Sequence, residues 1–264
     1  MYKILVTNDD GVDSEGIIVL AEALAELGEV TVVAPLNNMT AVSHSITLNR
    51  PLRIEKRAER CYAVDGTPTD CVALAVNLVM KDDPPALVVS GINKGANLGD
   101  DVHYSGTVAG AREATMYRIP AIAVSLAGRS NYKFAPAAEI AVKVAAKVLA
   151  NGLPHGTLLN VNVPRTAIKG VVITRQGTKL ARTKIIETLD PRQRSFYWIG
   201  EEFVSWDNEL GTDYAAVNSG FVSITPLKND ATDYSRIEML QTWDETWLRA
   251  DSKQFEELLG KDKQ

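Results

Sequence analysis

Residues 1–35 read MYKILVTNDDGVDSEGIIVLAEALAELGEVTVVAP, and their pattern decides the fold class. Lys3 to Thr7 form a short apolar run of the kind that makes a buried strand. From Ser14 to Leu27 the spacing becomes helical, with Ile17, Leu20, Leu24 and Leu27 on one face. Glu29 to Ala34 is a second β-branched run, closed by Pro35. Strand, helix and strand in so few residues spell a β-α-β crossover, which joins parallel strands.

The alternation continues outward from this unit. After a polar loop, Leu36 to Ser45, residues Ile46 to Asp65 are alternating and charged with Pro51 among them, which suits an exposed β excursion rather than a central strand. Thr67-Pro68-Thr69-Asp70 is a helix start: Thr67 as N-cap, Pro68 at N1, and the Asp70 carboxylate near the positive end of a helix predicted to run to about Met80. Ala86 to Ser90 is a buried strand, followed by a glycine-spaced loop from Gly91 to Asp101 and a helix over about Ser105 to Tyr117. A strand at Ile119 to Ser125, a helix at Ala135 to Asn151 and a strand at Thr157 to Val163 complete the series.

The fold class predicted from this is α/β, a Rossmann-like and mostly parallel sheet with helices on both faces. Past Val171 the sequence changes to short strand-like runs, a charged stretch with Trp198 and Trp206, a strand at Gly220 to Pro226 and a closing amphipathic helix near Glu245 to Leu259. The expected division is a catalytic core over 1–165 and a C-terminal β-rich extension over 166–264 that serves oligomerisation.

Composition narrows the functional classes. At 264 residues, with 45% hydrophobic and 23% charged side chains, the chain can bury a full core and is neither disordered nor collagen-like. Its 28 Lys and Arg against 33 Asp and Glu leave a net charge of -5, so no general basic excess is present for a nucleic-acid backbone. Cys61 and Cys71 lie ten residues apart with no CxxC pair, which argues against a zinc ribbon or a disulfide scaffold and fits a reducing cytoplasm. The opening residues lack the basic and long apolar regions of a signal peptide, and no run approaches the roughly 18 apolar residues of a membrane span.

In open α/β sheets ligands bind beyond the carboxyl ends of strands, so the informative segments are those that follow strands. Asn8, Asp9, Asp10 and Gly11 come directly after the first one. Adjacent carboxylates repel unless a cation, donors or a proton balances them, and oxygen ligands of this kind suit Mg²⁺, Mn²⁺ or Ca²⁺. A solvated turn with Asp10 or Asp13 capping the next helix is the alternative. The loop Gly91-Ile-Asn93-Lys94-Gly95-Ala-Asn97-Leu-Gly99 offers close backbone approach, with amide oxygens for a metal and N–H donors for a phosphate. It matches neither GxxxxGK[ST] nor GxGxxG, so P-loop and dinucleotide readings lose their support. Tyr104-Ser105-Gly106-Thr107 opens a helix whose free N–H groups make an anion site, though ordinary capping by Ser105 would read the same. His103 is a candidate proton donor beside it, or a plain surface histidine. The aromatic run around Phe196, Tyr197, Trp198 and Phe203 suits interface anchoring.

Together these blocks resemble the SurE family, metal-dependent nucleoside monophosphate phosphatases also called stationary-phase survival proteins. The carrying residues are VTNDDG (6–11), VVAP followed by SHSIT (32–47), GTPTDCV (66–72), SGINKGANLGDDVHYSGTVAGA (90–111) and IPAIAVS (119–125). The resemblance implies one divalent cation, Mg²⁺ or Mn²⁺, held by Asp9, Asp10, Thr40 and Asn93. It further implies catalytic roles for Asp9, Asp10, Asn93, Asn97 and Ser105, with the phosphate held by Asn97, Ser105, Gly106 and Thr107. Thr40 stands where the family usually has serine, Met39 where a basic residue is usual, and Leu36 where an acid is common. The implied function is a 5'-nucleotidase acting on nucleoside monophosphates, with 3'-nucleotidase and exopolyphosphatase activity as further options. The implied state is a homodimer or homotetramer, with no nucleic acid or membrane partner. A nucleotide-binding sensing module without turnover is the rival reading.

Overall fold

A computed structural model describes residues 1–206 and 208–243. The chain divides into two compact units, Met1–Asn229 and a second that begins at Asp230. The first is built on a nine-stranded sheet in the order β3-β4-β2-β1-β5-β6-β7-β11-β8. Its strands are β1 Tyr2–Thr7, β2 Gly28–Pro35, β3 Ile54–Ala58, β4 Cys61–Val64, β5 Leu87–Lys94, β6 Ala121–Leu126, β7 Thr157–Val163, β8 Val171–Ile173 and β11 Val222–Lys228. From β4 through β7 every neighbouring pair is parallel. β3 and β11 run antiparallel to β4 and β7, so the expected β excursion is a hairpin whose second strand joins the sheet.

Helices cover both faces. α1 (Glu15–Leu24) and α4 (Ala135–Asn151) pack with Ile4, Val6, Val89 and Val124, whereas α2 (Pro68–Leu74) and α3 (Gly106–Met116) pack with Leu5, Val33, Val88 and Ala123. Alternate residues of one strand face opposite layers. That is why the central strands read as continuous apolar runs, without the polar alternation of a one-sided sheet. Local chemistry sets the helix starts. Thr67 and Asp70 form a reciprocal capping box with Pro68 in the first turn, and Ser105 Oγ accepts the Val108 N–H at 3.0 Å. The second helix keeps α geometry only to Leu74 and continues as a wider turn, Ala75–Val79.

The C-terminal part departs further from the sequence pattern. β8 and β11 complete the main sheet, and β9 (Lys179–Leu189) pairs with β10 (Ser195–Trp206) in a long separate hairpin. α5 (Asp213–Asn218), which the sequence reading did not single out, starts at the Thr212 N-cap. In the second unit, α6 spans Tyr234–Gln241. The expected closing helix near Glu245 to Leu259, with Trp247, lies outside the described residues, as does the side chain of Phe203. Among the described residues no helix is long and apolar enough to cross a membrane.

Sheet order locates the site. The chain passes from β1 outward to β2 and β4, then returns to place β5 on the other side of β1. The loops that leave β1 and β5 therefore diverge, and a crevice opens between their carboxyl ends.

Candidate active site

The turn after β1 is organised by Asn8, which is fully buried. Its Nδ2 donates to the Gly11 carbonyl at 2.9 Å and to Ser14 Oγ at 2.8 Å, while its Oδ1 accepts the Gly11 N–H at 3.2 Å. Gly11 takes φ 104°, a conformation that side chains disfavour, and so the chain can reverse with both aspartates at the strand end. Asp9 is 4% exposed. Its Oδ1 accepts the Thr107 hydroxyl proton at 2.5 Å, directly at the N-terminus of α3. A Cβ at Gly106 would meet Asp9 Cβ at 2.7 Å, so glycine there allows the carboxylate to sit against the helix end.

The electrostatics of this pair are unfavourable without a cation. Burial, opposed by the Thr107 bond and reinforced by the neighbouring Asp10 charge, pushes the Asp9 carboxyl up from 3.8 to about 6. Burial also raises Asp10, against the lowering influence of the Lys94 N–H and charge. That N–H reaches Asp10 Oδ2 at a long 3.3 Å. No ion pair to either aspartate occurs among the described residues.

Two more segments reach the pair. The Met39 N–H donates to the Asp9 carbonyl at 2.7 Å, which puts Thr40 one residue from a direct bond to the acidic turn. Thr40 Oγ1 donates to Asn38 Oδ1 at 2.6 Å and keeps its lone pairs. Asn93 precedes Lys94, and its Nδ2 donates to the Gly95 carbonyl at 3.0 Å, while no donor among the described residues bonds its Oδ1, which is available to a cation. Carboxylate, carboxylate, hydroxyl and amide oxygens form a hard donor set, and the strained acidic pair fits a divalent cation of the Mg²⁺ or Mn²⁺ kind. Among the described residues no three His, Cys, Asp or Glu side chains gather, so ligands beyond the two aspartates would have to be neutral oxygens such as these.

The loop that carries Thr40 is staked on its far side. Ser43 gives its N–H to the Tyr104 carbonyl at 3.0 Å and its hydroxyl to the His103 carbonyl at 2.9 Å. His44 Nε2 lies 2.8 Å from Glu113 Oε2 on α3. Thr47 gives Asp70 both its N–H and its hydroxyl, at 2.8 and 2.6 Å. His103 is exposed beside this anchor.

At the proposed phosphate end, the structure gives the expected residues different situations. Ser105 Oγ accepts the Val108 N–H and retains its own proton for a ligand. The Thr107 hydroxyl is committed to Asp9. Asn97 is buried in an amide network: Nδ2 donates to Ser125 Oγ at 2.8 Å, its N–H to Asn162 Oδ1 at 2.8 Å, and its carbonyl accepts from Asn160 and Asn162 at 2.8 and 3.0 Å. Asn160 and Asn162 are not among the residues that the sequence motifs single out, though LNVNVP (159–164) carries their signal, two amides two residues apart on one face of an otherwise apolar strand. Buried Asp213 likewise holds the loop from below, accepting the Gly99 and Gly177 N–H groups at 2.9 Å each, and Lys179 Nζ pairs with Asp101 at 2.8 Å.

Known proteins share this arrangement of sequence. The profile of the family described as Survival protein SurE matches residues 4–183. The 5'-nucleotidase SurE of Pelobacter propionicus is 53% identical over 245 residues, covering 91% of this chain and 98% of that protein. The 5'-nucleotidase SurE of Geobacter sulfurreducens is 49% identical over 258 residues, covering 96% and 97%. The crystal structure of the SurE protein from Aquifex aeolicus superposes with a TM-score of 0.82 at 44% identity, over 92% of this chain and all of that one.

Proposed function

The chain belongs to the SurE family, and from that premise we propose that it is a 5'-nucleotidase that hydrolyses nucleoside monophosphates with one divalent cation held by Asp9, Asp10, Thr40 and Asn93. The observation that carries the reading is the buried Asp9 carboxylate set against the N-terminus of α3 beside Asp10. On this reading a cation site adjoins an anion site at the crevice between β1 and β5. A bound cation would supply positive charge to the phosphate oxygens and acidify water.

The chain's own groups divide the remaining work. Thr107 holds the Asp9 carboxylate in one orientation through its hydroxyl, and Lys94 does the same for Asp10 through its N–H. Ser105, with a proton to spare, and the first N–H groups of α3 donate to the phosphate oxygens as charge builds on them. Asn97 contributes through the rigidity of its loop, since its amide nitrogen already bonds Ser125. A water oxygen attacks phosphorus in line as the bond to the ester oxygen breaks; the attacking water gives up one proton to solvent and the leaving oxygen takes one up, from His103, which is reprotonated from solvent, or directly from water, so that the products are nucleoside and phosphate. Hydrolysis of 3'-nucleotides and of polyphosphate belongs to the same proposal as a matter of substrate range.

The proposal extends to assembly, as a homodimer or homotetramer built through the segment 166–264. Phe196, Tyr197, Trp198 and Ile199 on β10 are all more than half exposed, an apolar concentration suited to burial against a second copy. The test of the function is phosphate release from a panel of 5'- and 3'-nucleoside monophosphates with Mg²⁺, with Mn²⁺ and with a chelator. Release from 5'-monophosphates that needs metal supports it, and binding without release would favour a sensing module.

A further inference from the structure

A cleft of about 430 Å³ opens between the segment 126–136, which leaves β6, and the segment 164–167, which leaves β7. That volume is within the range of small-molecule sites, about 300–1,000 Å³. β6 and β7 run parallel to β1 and β5, so their exit loops open on the same edge of the sheet as the acidic turn. Leu126, which lines the cleft, is the ladder partner of Lys94, whose N–H bonds Asp10. The cleft therefore begins about one strand spacing, ~4.8 Å, from the residue that contacts the acidic pair.

Its charge is one-sided. Lys133 and Arg165 line it, no Asp or Glu does, and neither cation has an ion-pair partner among the described residues. In a chain of net charge -5, two unpaired cations facing one cleft mark a place for an anion. The wall between them is fixed. Tyr132 stacks on Phe134 with centroids 5.9 Å apart, and its hydroxyl donates to the Gly128 carbonyl at 2.8 Å. Gly128 has φ 148°, and a Cβ there would meet the Tyr132 ring at 3.3 Å and Arg165 Cδ at 3.4 Å, so the arginine stem lies close along the turn. The Tyr132 hydroxyl is pushed up by burial and by the Asp10 charge and drawn down by Arg165, as expected of a group standing between the two.

We propose that this cleft is a second phosphate subsite, where Arg165 and Lys133 hold a phosphate of the substrate other than the one being cleaved. The inference rests on the phosphatase reading above and names a substrate class for it, phosphate esters or anhydrides carrying at least two phosphates. Such a group can come from a nucleoside bisphosphate or from a short linear polyphosphate.

The experiment measures kcat and KM for adenosine 5'-monophosphate, adenosine 3',5'-bisphosphate and inorganic tripolyphosphate. It uses the full chain, Arg165→Ala, Lys133→Ala, Arg165→Lys and, as a charge-equal control near the other end of α4, Lys147→Ala. Loss of one charged contact to a phosphate is expected to lower the ratio of kcat/KM for a two-phosphate substrate over the monophosphate about tenfold, through KM. Arg165→Lys recovers part of the ratio, and Lys147→Ala leaves it unchanged. A fall confined to the bisphosphate assigns the subsite to nucleotides, and one confined to tripolyphosphate assigns it to polyphosphate. An unchanged ratio for both overturns the proposal. Calorimetric binding of pyrophosphate to the chelator-treated protein separates the two readings. Binding weakened about tenfold in Arg165→Ala supports the subsite even if no monophosphate is hydrolysed. Equal binding in that variant, or none in the wild type, overturns it while the phosphatase reading stands.

Discussion

Replacing Asp9 with asparagine should abolish activity and yet make the metal-free protein more stable. The carboxyl is 4% exposed, and burial raises it from 3.8 to about 6. The folded state thus binds a proton more tightly than the unfolded chain. Stability then falls as pH rises from about 4 to about 6, and the cost is fully present above that range. A rise of this size corresponds to about 3 kcal/mol. Asparagine removes the buried charge and can still accept the Thr107 hydroxyl proton through Oδ1, so most of that cost should be relieved. Chelator-treated wild type and Asp9→Asn would be unfolded in urea at pH 8 and pH 4.5. The expected gain is about 2–3 kcal/mol at pH 8, shrinking to about 1 kcal/mol at pH 4.5. Added Mn²⁺ should stabilise the wild type and leave the variant unmoved. A variant no more stable than wild type at pH 8, or a gain that ignores pH, would refute the view that an unbalanced buried carboxylate defines the site.

Other expected outcomes follow from the same geometry. Thr40→Ala should raise the Mn²⁺ concentration for half activity, with Thr40→Ser restoring it and Ser43→Ala changing it little; metal titration of turnover shows which hydroxyl serves. Asp70→Ala should cost about 2–4 kcal/mol in urea unfolding, because it strips three bonds from Thr47 and Thr67 and leaves the buried Thr67 N–H without its acceptor. Asn162→Ala should lower kcat more than it raises KM if the amide network holds the loop in its working shape, which steady-state kinetics resolve. Light scattering at tens of micromolar should give a mass above the monomer, and Trp198→Ser should reduce it.

The central strands and α1 to α4 were legible because each local pattern agrees with the fold: continuous apolar runs for two-sided burial, and Thr67, Pro68 and Ser105 at helix starts. The order in which strands lie was not, and it is that order which turns β1 and β5 into the walls of a crevice. The apolar run of β5 ends at Ser90, yet the strand runs to Lys94, because Asn93 and Lys94 keep pairing with Ser125 and Leu126 past an irregularity that polar residues disguise. The long hairpin of β9 and β10 is hidden for a related reason: residues 183–189 and 195–199 are all exposed and carry mixed side chains, so no periodicity of burial marks them. The acidic turn and the start of α3 are candidates from residue type, whereas Thr40 is a candidate only through the family resemblance. The commitment of Thr107 to Asp9 is legible in neither way, nor is the enclosure of Asn97 by Asn160, Asn162 and Ser125, since both depend on contacts tens of residues apart in sequence.

The most direct test of the site is a Mn²⁺ titration of chelator-treated protein, with phosphate release from a nucleoside 5'-monophosphate and bound metal followed in the same samples. Release should rise from background to a plateau in step with one ion bound per chain, and Asp10→Asn should show neither the binding nor the release. Full release in the presence of chelator, or tight metal binding by Asp10→Asn, would contradict the account.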